Sequence, residues 1–281
     1  MNITTVCVCG AGTMGSGIAQ VAAAAGFTTI LYELNNATLQ AAAQKLQKDL
    51  KTLLEKGKMT AEKEQAILQN LQFTSDINQC KADLVIEAIV EKAEIKKNLF
   101  TQLAAINSGH TLFASNTSSL SITALAQHLP QPQRFAGLHF FNPAPLMKLV
   151  EIVRGEQTAD EVIQTLIAFT KALGKTGVVC KDAPGFIVNR VARPYYIESL
   201  RLAEEGISPF ATTDRLLESR GFKMGPFKLM DLIGNDVNYA VSCSVYEQLQ
   251  QPERLKPSPL QKEKVDNHQL GKKTGSGYYT Y

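Results

Sequence analysis

No uninterrupted apolar run in the chain approaches the roughly 20 residues that a bilayer crossing needs, so a membrane-spanning protein is not expected. The opening stretch MNITTVCVCG carries neither a basic leader nor a long apolar core. A secretory signal is therefore not expected, and a cytoplasmic enzyme is the default. Charge of one sign is scarce too, with 29 Lys and Arg against 26 Asp and Glu. No basic arm for nucleic acid and no acidic disordered tail follows from such a balance. The five cysteines are an odd count without CxxC spacing, which argues against a disulfide framework and against a zinc site. Cys7 and Cys9, two apart in an apolar run, are expected on one side of a strand as small buried hydrophobes. Only four histidines occur, and one of them, His139, lies in the stretch GLHFFNPAPLMKLVEIVRG.

What is present is enough apolar material for a large core: 281 residues, 44% of them hydrophobic. Short β-rich runs alternate with longer helical patterns, the signature of a parallel sheet covered by helices. The runs are Ile3–Val8, Thr28–Tyr32, Gln72–Thr74, Leu84–Ala88, Thr111–Ala114, Phe135–His139, Leu149–Val153 and Gly177–Cys180. Helices are expected between most of them, notably over Asn35–Lys56, Lys92–Ile106 and Thr158–Leu173. A Pro-containing turn alone separates the sixth run from the seventh, too little chain for a parallel crossover, so that pair must be antiparallel. His139 and Glu151 are equidistant from Pro145. If the chain doubles back around Asn142–Pro145, the two side chains stand opposite each other within reach. A carboxylate beside an imidazole fixes its tautomer and raises its basicity, which is how a general base is built. The bland alternative is a satisfied, half-buried histidine in a strand.

After CKDAPGF the pattern becomes helical, with Gly and Pro as punctuation. Helices are expected over Ile187–Glu205, Thr213–Arg220, Leu229–Leu249 and near Pro259–Asn267. The boundary is placed near Ala183–Gly185, giving one domain over 1–184 and a smaller helical one over 185–281. The latter is thin for an independent core, so docking on the first domain or on another subunit is expected.

VCVCGAGTMGSGIAQVAAAAGF runs from a strand through Gly10, Gly12, Thr13, Met14 and Gly15 into an Ala-rich helix. The first glycine permits the tight turn, the second admits a pyrophosphate to the backbone, and the third lets helix and strand pack closely. The helix N-terminus then faces the phosphates. A lone GxGxxG is weak, but here an acidic residue, Glu33, ends the second run, which makes the signal strong. Glu33 can accept both adenosine ribose hydroxyls and would repel a 2′-phosphate. No Arg follows it in LNNATLQ, so NAD is expected rather than NADP.

With that site in place, the chain resembles the L-3-hydroxyacyl-CoA dehydrogenase family over essentially its whole length. The segments that carry the resemblance are GAGTMGSGIAQ, DLVIEAIVEKAEIKKNLF, FASNTSSLSIT, GLHFFNPAPLMKLVEIVRG, DAPGFIVNR, MGPF and LGKKTGSGYYTY. The likeness is strongest to the short bacterial 3-hydroxybutyryl-CoA dehydrogenases, while VNRVARPYY and DLIGNDVNYAVSCSVY look more like the 3-hydroxyadipyl-CoA dehydrogenases of phenylacetate breakdown. The resemblance implies an α/β protein: a Rossmann-like N-terminal domain of eight strands, six parallel and two antiparallel, and a helical C-terminal domain that makes a homodimer. It implies NAD-dependent interconversion of (S)-3-hydroxyacyl-CoA and 3-oxoacyl-CoA, a step of fatty-acid β-oxidation. It also implies His139 as catalytic base and Glu151 as its orienting partner. Ser118 and Asn189 then contact the substrate hydroxyl or carbonyl, and Glu91, Lys96 and Asn116 contact the nicotinamide half of the cofactor.

Beside those implied roles the residues keep plainer readings. Any Ser or Thr of SNTSSLSIT, Ser118 included, suits a helix N-cap, and an Asn just past Pro184–Gly185 is commonly an exposed surface residue. The lysines of AAAQKLQKDLKTLLEKGKMT, with Lys51 and Lys56 singled out by the resemblance, suit the phosphates of an acyl-CoA partner or an ordinary solvated helix face balanced by Asp49 and Glu55. Arg193 is a candidate for the free carboxylate of an adipyl chain or for an interface salt bridge. Two other functions remain open at this point: a non-catalytic NAD-binding relative, as among the lens crystallins, and a sugar-acid dehydrogenase.

Overall fold

The computed structural model describes residues 2–281, and its contacts divide the chain into two compact units, Met1–Asp182 and Ala183–Tyr281. In the first unit the elements run β1 (Thr5–Cys9), α1 (Thr13–Ala24), β2 (Thr28–Tyr32), α2 (Asn36–Glu55), α3 (Ala61–Asn70), β3 (Leu71–Thr74), β4 (Leu84–Glu87) and α4 (Ala93–Ile106). They continue as β5 (Leu112–Ser115), α5 (Ile122–Ala126), β6 (Phe135–Phe140), β7 (Leu149–Arg154), α6 (Asp160–Ala172) and β8 (Thr176–Lys181). The strands form one eight-stranded sheet in the order β3-β2-β1-β4-β5-β6-β7-β8. From β1 through β6 all neighbours are parallel, β7 runs antiparallel to β6, and β8 runs parallel to β7. Six strands thus point one way and two the other, a Rossmann-like sheet.

The sequence dictates this arrangement locally. Residues Val6–Cys9 and Val85–Ile86 are wholly buried, as expected of central parallel strands covered by helices on both faces. In α2, Asn35 caps the first turn by accepting the Thr38 N–H at 3.0 Å. Its buried stripe is Leu39, Ala42, Leu46 and Leu50, at helical spacing. The Cys7 and Cys9 sulfurs lie 3.9 Å apart on the same side of β1. One helix is additional to those read from the sequence: α3, capped by Thr60, whose single buried residue, Ile67, gives it no apolar stripe to detect.

The second unit is helical: α7 (Val188–Glu204), α8 (Phe210–Ser219), α9 (Pro226–Ile233), α10 (Asn235–Gln248) and α11 (Pro259–Asp266). The single helix expected over Leu229–Leu249 is two, because Gly234 at φ +105° stands outside helical space and splits α9 from α10. Arg193 is turned inward. Its Nε donates to the Asn189 carbonyl at 3.0 Å and its Nη1 to the Asn238 carbonyl and Ser242 Oγ, and burial draws its pKa down to about 10. Those bonds within the unit account for it better than a bound substrate carboxylate does.

The chain's last residues are latched onto this unit by Asp231, which is buried. Its carboxylate accepts the N–H groups of Tyr278 and Tyr279, each at 3.0 Å, the Tyr281 hydroxyl at 3.1 Å and the Asn235 amide at 3.0 Å. The backbone approaches so closely that a Cβ on Gly277 would lie 2.0 Å from Asp231 Oδ1. Replacing Asp231 by Ala strands these buried donors and is expected to destabilise the unit by on the order of 3 kcal/mol. A thermal melt combined with chymotrypsin digestion checks this, the expected result being a lowered Tm and early cleavage after Tyr278 and Tyr279.

Candidate active site

At the carboxyl end of β1 the chain turns through Gly10, at φ +103°, and enters α1 with Gly12 as N-cap. No side chain caps that helix, so its first N–H groups, those of Thr13 and Met14 among them, are available to an anion. Gly15 lies one turn in, and a Cβ there would sit 1.8 Å from the Gly10 carbonyl oxygen. Glu33, one residue past β2, accepts the Ala11 N–H through Oε2 and the Asn35 N–H through Oε1, both at 3.1 Å. The carboxylate is thus pinned beside the glycine turn with oxygen acceptors for ribose hydroxyls. A cavity of about 380 Å³ opens here. Gly12, Thr13, Gln20, Lys45, Asn142 and Pro143 are among its lining residues. The uncapped N–H groups and the fixed carboxylate fit a dinucleotide, as donors for a pyrophosphate and acceptors for a ribose, and the cavity borders the glycine turn on the α1 and α2 side.

Across the sheet, β6 and β7 pair with His139 directly opposite Glu151. The His139 Nδ1 to Glu151 Oε2 distance is 2.7 Å, and both side chains are buried. A carboxylate oxygen only accepts, so Nδ1 carries the hydrogen and Nε2 is the basic nitrogen of the neutral ring. The Phe141 ring lies against the imidazole, centroids 4.6 Å apart. Asn116, just past β5, donates its N–H to the Glu87 carbonyl and accepts the Phe140 N–H on Oδ1, both at 2.8 Å. That double tie fixes the residue after β5 to the end of β4 on one side and to the residue after His139 on the other.

The turn after Asn116 is organised by Glu91. Its Oε1 accepts the Thr117 hydroxyl, the Ser118 N–H at 3.0 Å and the Ser119 hydroxyl at 3.4 Å, and its Oε2 pairs with Lys96 at 2.9 Å. Ser118 is not a cap: the N-cap of α5 is Ser121, which accepts the Ala124 N–H at 3.1 Å. Burial opposes ionisation of Glu91, but the Lys96 charge and the donors from Thr117, Lys96 and Ser118 outweigh it and hold the carboxyl below the usual range. A depressed folded pKa means that the order Glu91 brings is fully present above its unfolded value, about 4.3, and is lost as pH falls through the lower folded value. Amide exchange at Ser118, followed from pH 6 to pH 3, is expected to accelerate beyond its intrinsic pH dependence only below about 4.3.

Lys51 and Lys56 lie on and just after the exposed face of α2, and among the described residues neither has a carboxylate within ion-pair range. Lys45 and Asp49, which pair at 2.5 Å, are the charged residues of α2 that face the cavity. Asn189 belongs to α7 in the second unit and is half-buried there. Two features escaped the sequence reading. Asn142 and Pro143, joined by a cis peptide bond, line the cavity, although the turn reading gives them no chemistry. Glu87 ends β4 fully buried and paired with Lys96 at 2.6 Å. The available signal was an acidic residue closing the apolar run DLVIE.

Two family descriptions cover nearly the whole chain: "3-hydroxyacyl-CoA dehydrogenase, NAD binding domain" over residues 5–183 and "3-hydroxyacyl-CoA dehydrogenase, C-terminal domain" over residues 185–281. The chain belongs to the 3-hydroxyacyl-CoA dehydrogenase family. Its first unit is accordingly an NAD-binding domain. Similar proteins include the 3-hydroxyadipyl-CoA dehydrogenase of Escherichia coli K12, 48% identical over 283 residues, which take in all of this chain and 60% of the relative. A solved 3-hydroxybutyryl-CoA dehydrogenase from the same organism superposes with a TM-score of 0.97 at 48% identity, covering 100% of this chain and 60% of that one. The chain thus spans about three-fifths of the length of these two relatives. The (S)-3-hydroxybutyryl-CoA dehydrogenase PaaH1 of Ralstonia eutropha is matched nearly end to end, with a TM-score of 0.95, 36% identity and coverage of 100% and 99%.

Proposed function

We propose that the protein is an NAD-dependent dehydrogenase of (S)-3-hydroxyacyl-CoA thioesters, with 3-hydroxybutyryl-CoA as its substrate. The observation that carries this reading is the buried 2.7 Å pairing of His139 with Glu151 inside an NAD-binding domain. Bound NAD supplies the hydride acceptor in oxidation and, reduced, the hydride donor in the reverse direction. His139 Nε2 takes the proton of the 3-hydroxyl group as the carbon–hydrogen bond breaks, a contribution of about 10²–10⁴-fold. Glu151 holds the tautomer and stabilises the imidazolium that results. In reverse, the imidazolium returns the proton to the oxygen of the 3-oxo group. Ser118 and Asn189 direct hydrogen bonds to the reacting oxygen and the thioester carbonyl, acting by preorganisation. Glu33, Glu91, Lys96 and Asn116 serve the cofactor site. Lys51 and Lys56, exposed and without acidic partners among the described residues, suit the phosphates of coenzyme A.

A second reading, 3-hydroxyadipyl-CoA, is favoured by the name of the 48% identical relative and disfavoured by the inward engagement of Arg193. Initial rates of NADH oxidation with acetoacetyl-CoA and with 3-oxoadipyl-CoA, with NADPH as control, decide between them. Faster turnover of acetoacetyl-CoA with NADH is the expected result. Preference for the dicarboxylic thioester selects the second reading, and inactivity of NADH-binding protein on both refutes the proposal.

The reading includes a homodimer formed through the second unit. Its support is the set of exposed apolar side chains there, among them Val191, Ile207, Leu216, Phe222, Leu232 and Val237. Light scattering on the eluting protein is expected to give about twice the 30.7 kDa chain mass.

A further inference from the structure

Lys96 is among the largest fully buried side chains of the described residues, and its ammonium meets two carboxylates, Glu87 at 2.6 Å and Glu91 at 2.9 Å. Glu87 has no exposure and is fully engaged. Oε1 also accepts the Ile89 N–H at 2.7 Å, and Oε2 accepts the Ser115 hydroxyl at 2.6 Å. Both oxygens act as acceptors, as a carboxylate's must. Among the described residues no second cation lies within ion-pair range of either acid. Two carboxylates therefore share one ammonium: Glu87 and Lys96 are removed from water while the Glu91 side chain keeps 38% exposure, and the three groups together carry one net negative charge.

The sheet order says where that charge sits relative to a dinucleotide. Glu33, on the β2 side of β1, faces the adenosine ribose, and the glycine turn at the end of β1 faces the pyrophosphate. The chain order reverses between β1 and β4, so the cofactor crosses there and its nicotinamide end falls on the β4–β5 side. The glycine turn packs against the end of β4: a Cβ on Gly10 would lie 2.7 Å from the Ala88 carbonyl oxygen, one residue past Glu87. In NAD+ the nicotinamide ring is the cationic part, and in NADH it is neutral.

We propose that Glu87 is a positioning residue whose buried charge, delivered through the Glu87–Lys96–Glu91 triad, makes the site bind oxidised, cationic NAD+ more tightly relative to NADH than a neutral triad would. This rests on the NAD site itself and adds to it a preference between the cofactor's two redox states. Glu87 also fixes Lys96, and through it Glu91 and the Thr117–Ser119 turn.

The test is a pair of dissociation constants, NADH by its fluorescence and NAD+ by competition, for the wild type, Glu87→Gln and Ser115→Ala. Glutamine keeps the shape: its amide oxygen accepts from Ile89 and Lys96, and its NH2 group donates to a rotated Ser115 hydroxyl. Removal of one unit charge from the triad, in a partly screened site, is expected to raise the ratio Kd(NAD+)/Kd(NADH) about tenfold in Glu87→Gln. Ser115→Ala removes a hydrogen bond and no charge, and is expected to leave the ratio unchanged. Equal weakening of both nucleotides in Glu87→Gln, or no change in either, overturns the proposal and leaves Glu87 a structural residue. If Glu87→Gln does not fold, Glu91→Gln, at the more exposed end of the triad, removes the same charge. A rise in its ratio supports the proposal and a constant ratio overturns it. A wild type that binds neither nucleotide is a different failure, that of the NAD reading.

Discussion

Exchanging Glu151 for glutamine is expected to lower kcat for 3-oxoacyl-CoA reduction by about 10²–10³-fold, with the Kd for NADH unchanged. The change is isosteric, and Glu151 lies at the centre of β7, opposite His139 in the ladder, so the hairpin has no steric reason to open. What changes is the imidazole. A carboxylate accepts only, which forces the hydrogen onto Nδ1, whereas an amide can present its NH2 group to Nδ1 and favour the opposite tautomer. The ring then offers N–H where it needs a lone pair, and the imidazolium loses its counter-charge. Steady-state kinetics alongside NADH titration separates this from misfolding: a loss in kcat with binding retained is the predicted pattern. Unchanged turnover would remove Glu151 from the mechanism.

Gly15→Ala is expected to be more disruptive to binding than any substitution of a charged residue. The new methyl carbon would sit 1.8 Å from the Gly10 carbonyl oxygen, and the clashing atom is backbone in the phosphate turn, not the end of a flexible side chain. The start of α1 must move off β1, carrying with it the N–H groups that face the pyrophosphate. A displacement of that kind is expected to weaken NADH binding about 100-fold or more, equivalent to about 3 kcal/mol. Overpacking of a tight contact also lowers stability by about 1–3 kcal/mol, so a Tm lower by about 5–10 °C is expected. Calorimetry and NADH fluorescence on the same preparation check both parts. Near-wild-type binding would mean that the turn is not the pyrophosphate site.

How much of this was legible beforehand depended on how local the determining signal is. The eight strands announce themselves by short β-rich apolar runs between turn residues. The hairpin register was read from symmetry about Pro145, and it holds across the observed connection of residues 141–148, with His139 opposite Glu151. The NAD fingerprint is likewise contained in two consecutive strands with the turn and helix between them, ending at Glu33. Features that arise when distant segments meet were not legible. Glu87, Lys96 and Ser115 form one network, yet their adjacency depends on β4 pairing with β5 and on α4 folding back over both. The break between α9 and α10 was hidden because a single glycine in an apolar-periodic stretch is tolerated in many helices, and only its φ of +105° shows that this one ends the helix. The lysines of α2 illustrate a third case. The sequence left these lysines either for phosphates or for a solvated face balanced by Asp49 and Glu55, and it did not show that Asp49 pairs with Lys45 beside the cavity.

The most direct test of the central claim is a single-turnover experiment: acetoacetyl-CoA mixed in a stopped-flow instrument with excess enzyme preloaded with NADH, wild type beside His139→Gln. The account predicts rapid loss of NADH fluorescence in the wild type and, in the variant, intact NADH binding with hydride transfer slower by about 10³-fold or more. A variant that transfers hydride at the wild-type rate would contradict it, and would reduce His139 and Glu151 to two buried, hydrogen-bonded residues of a hairpin.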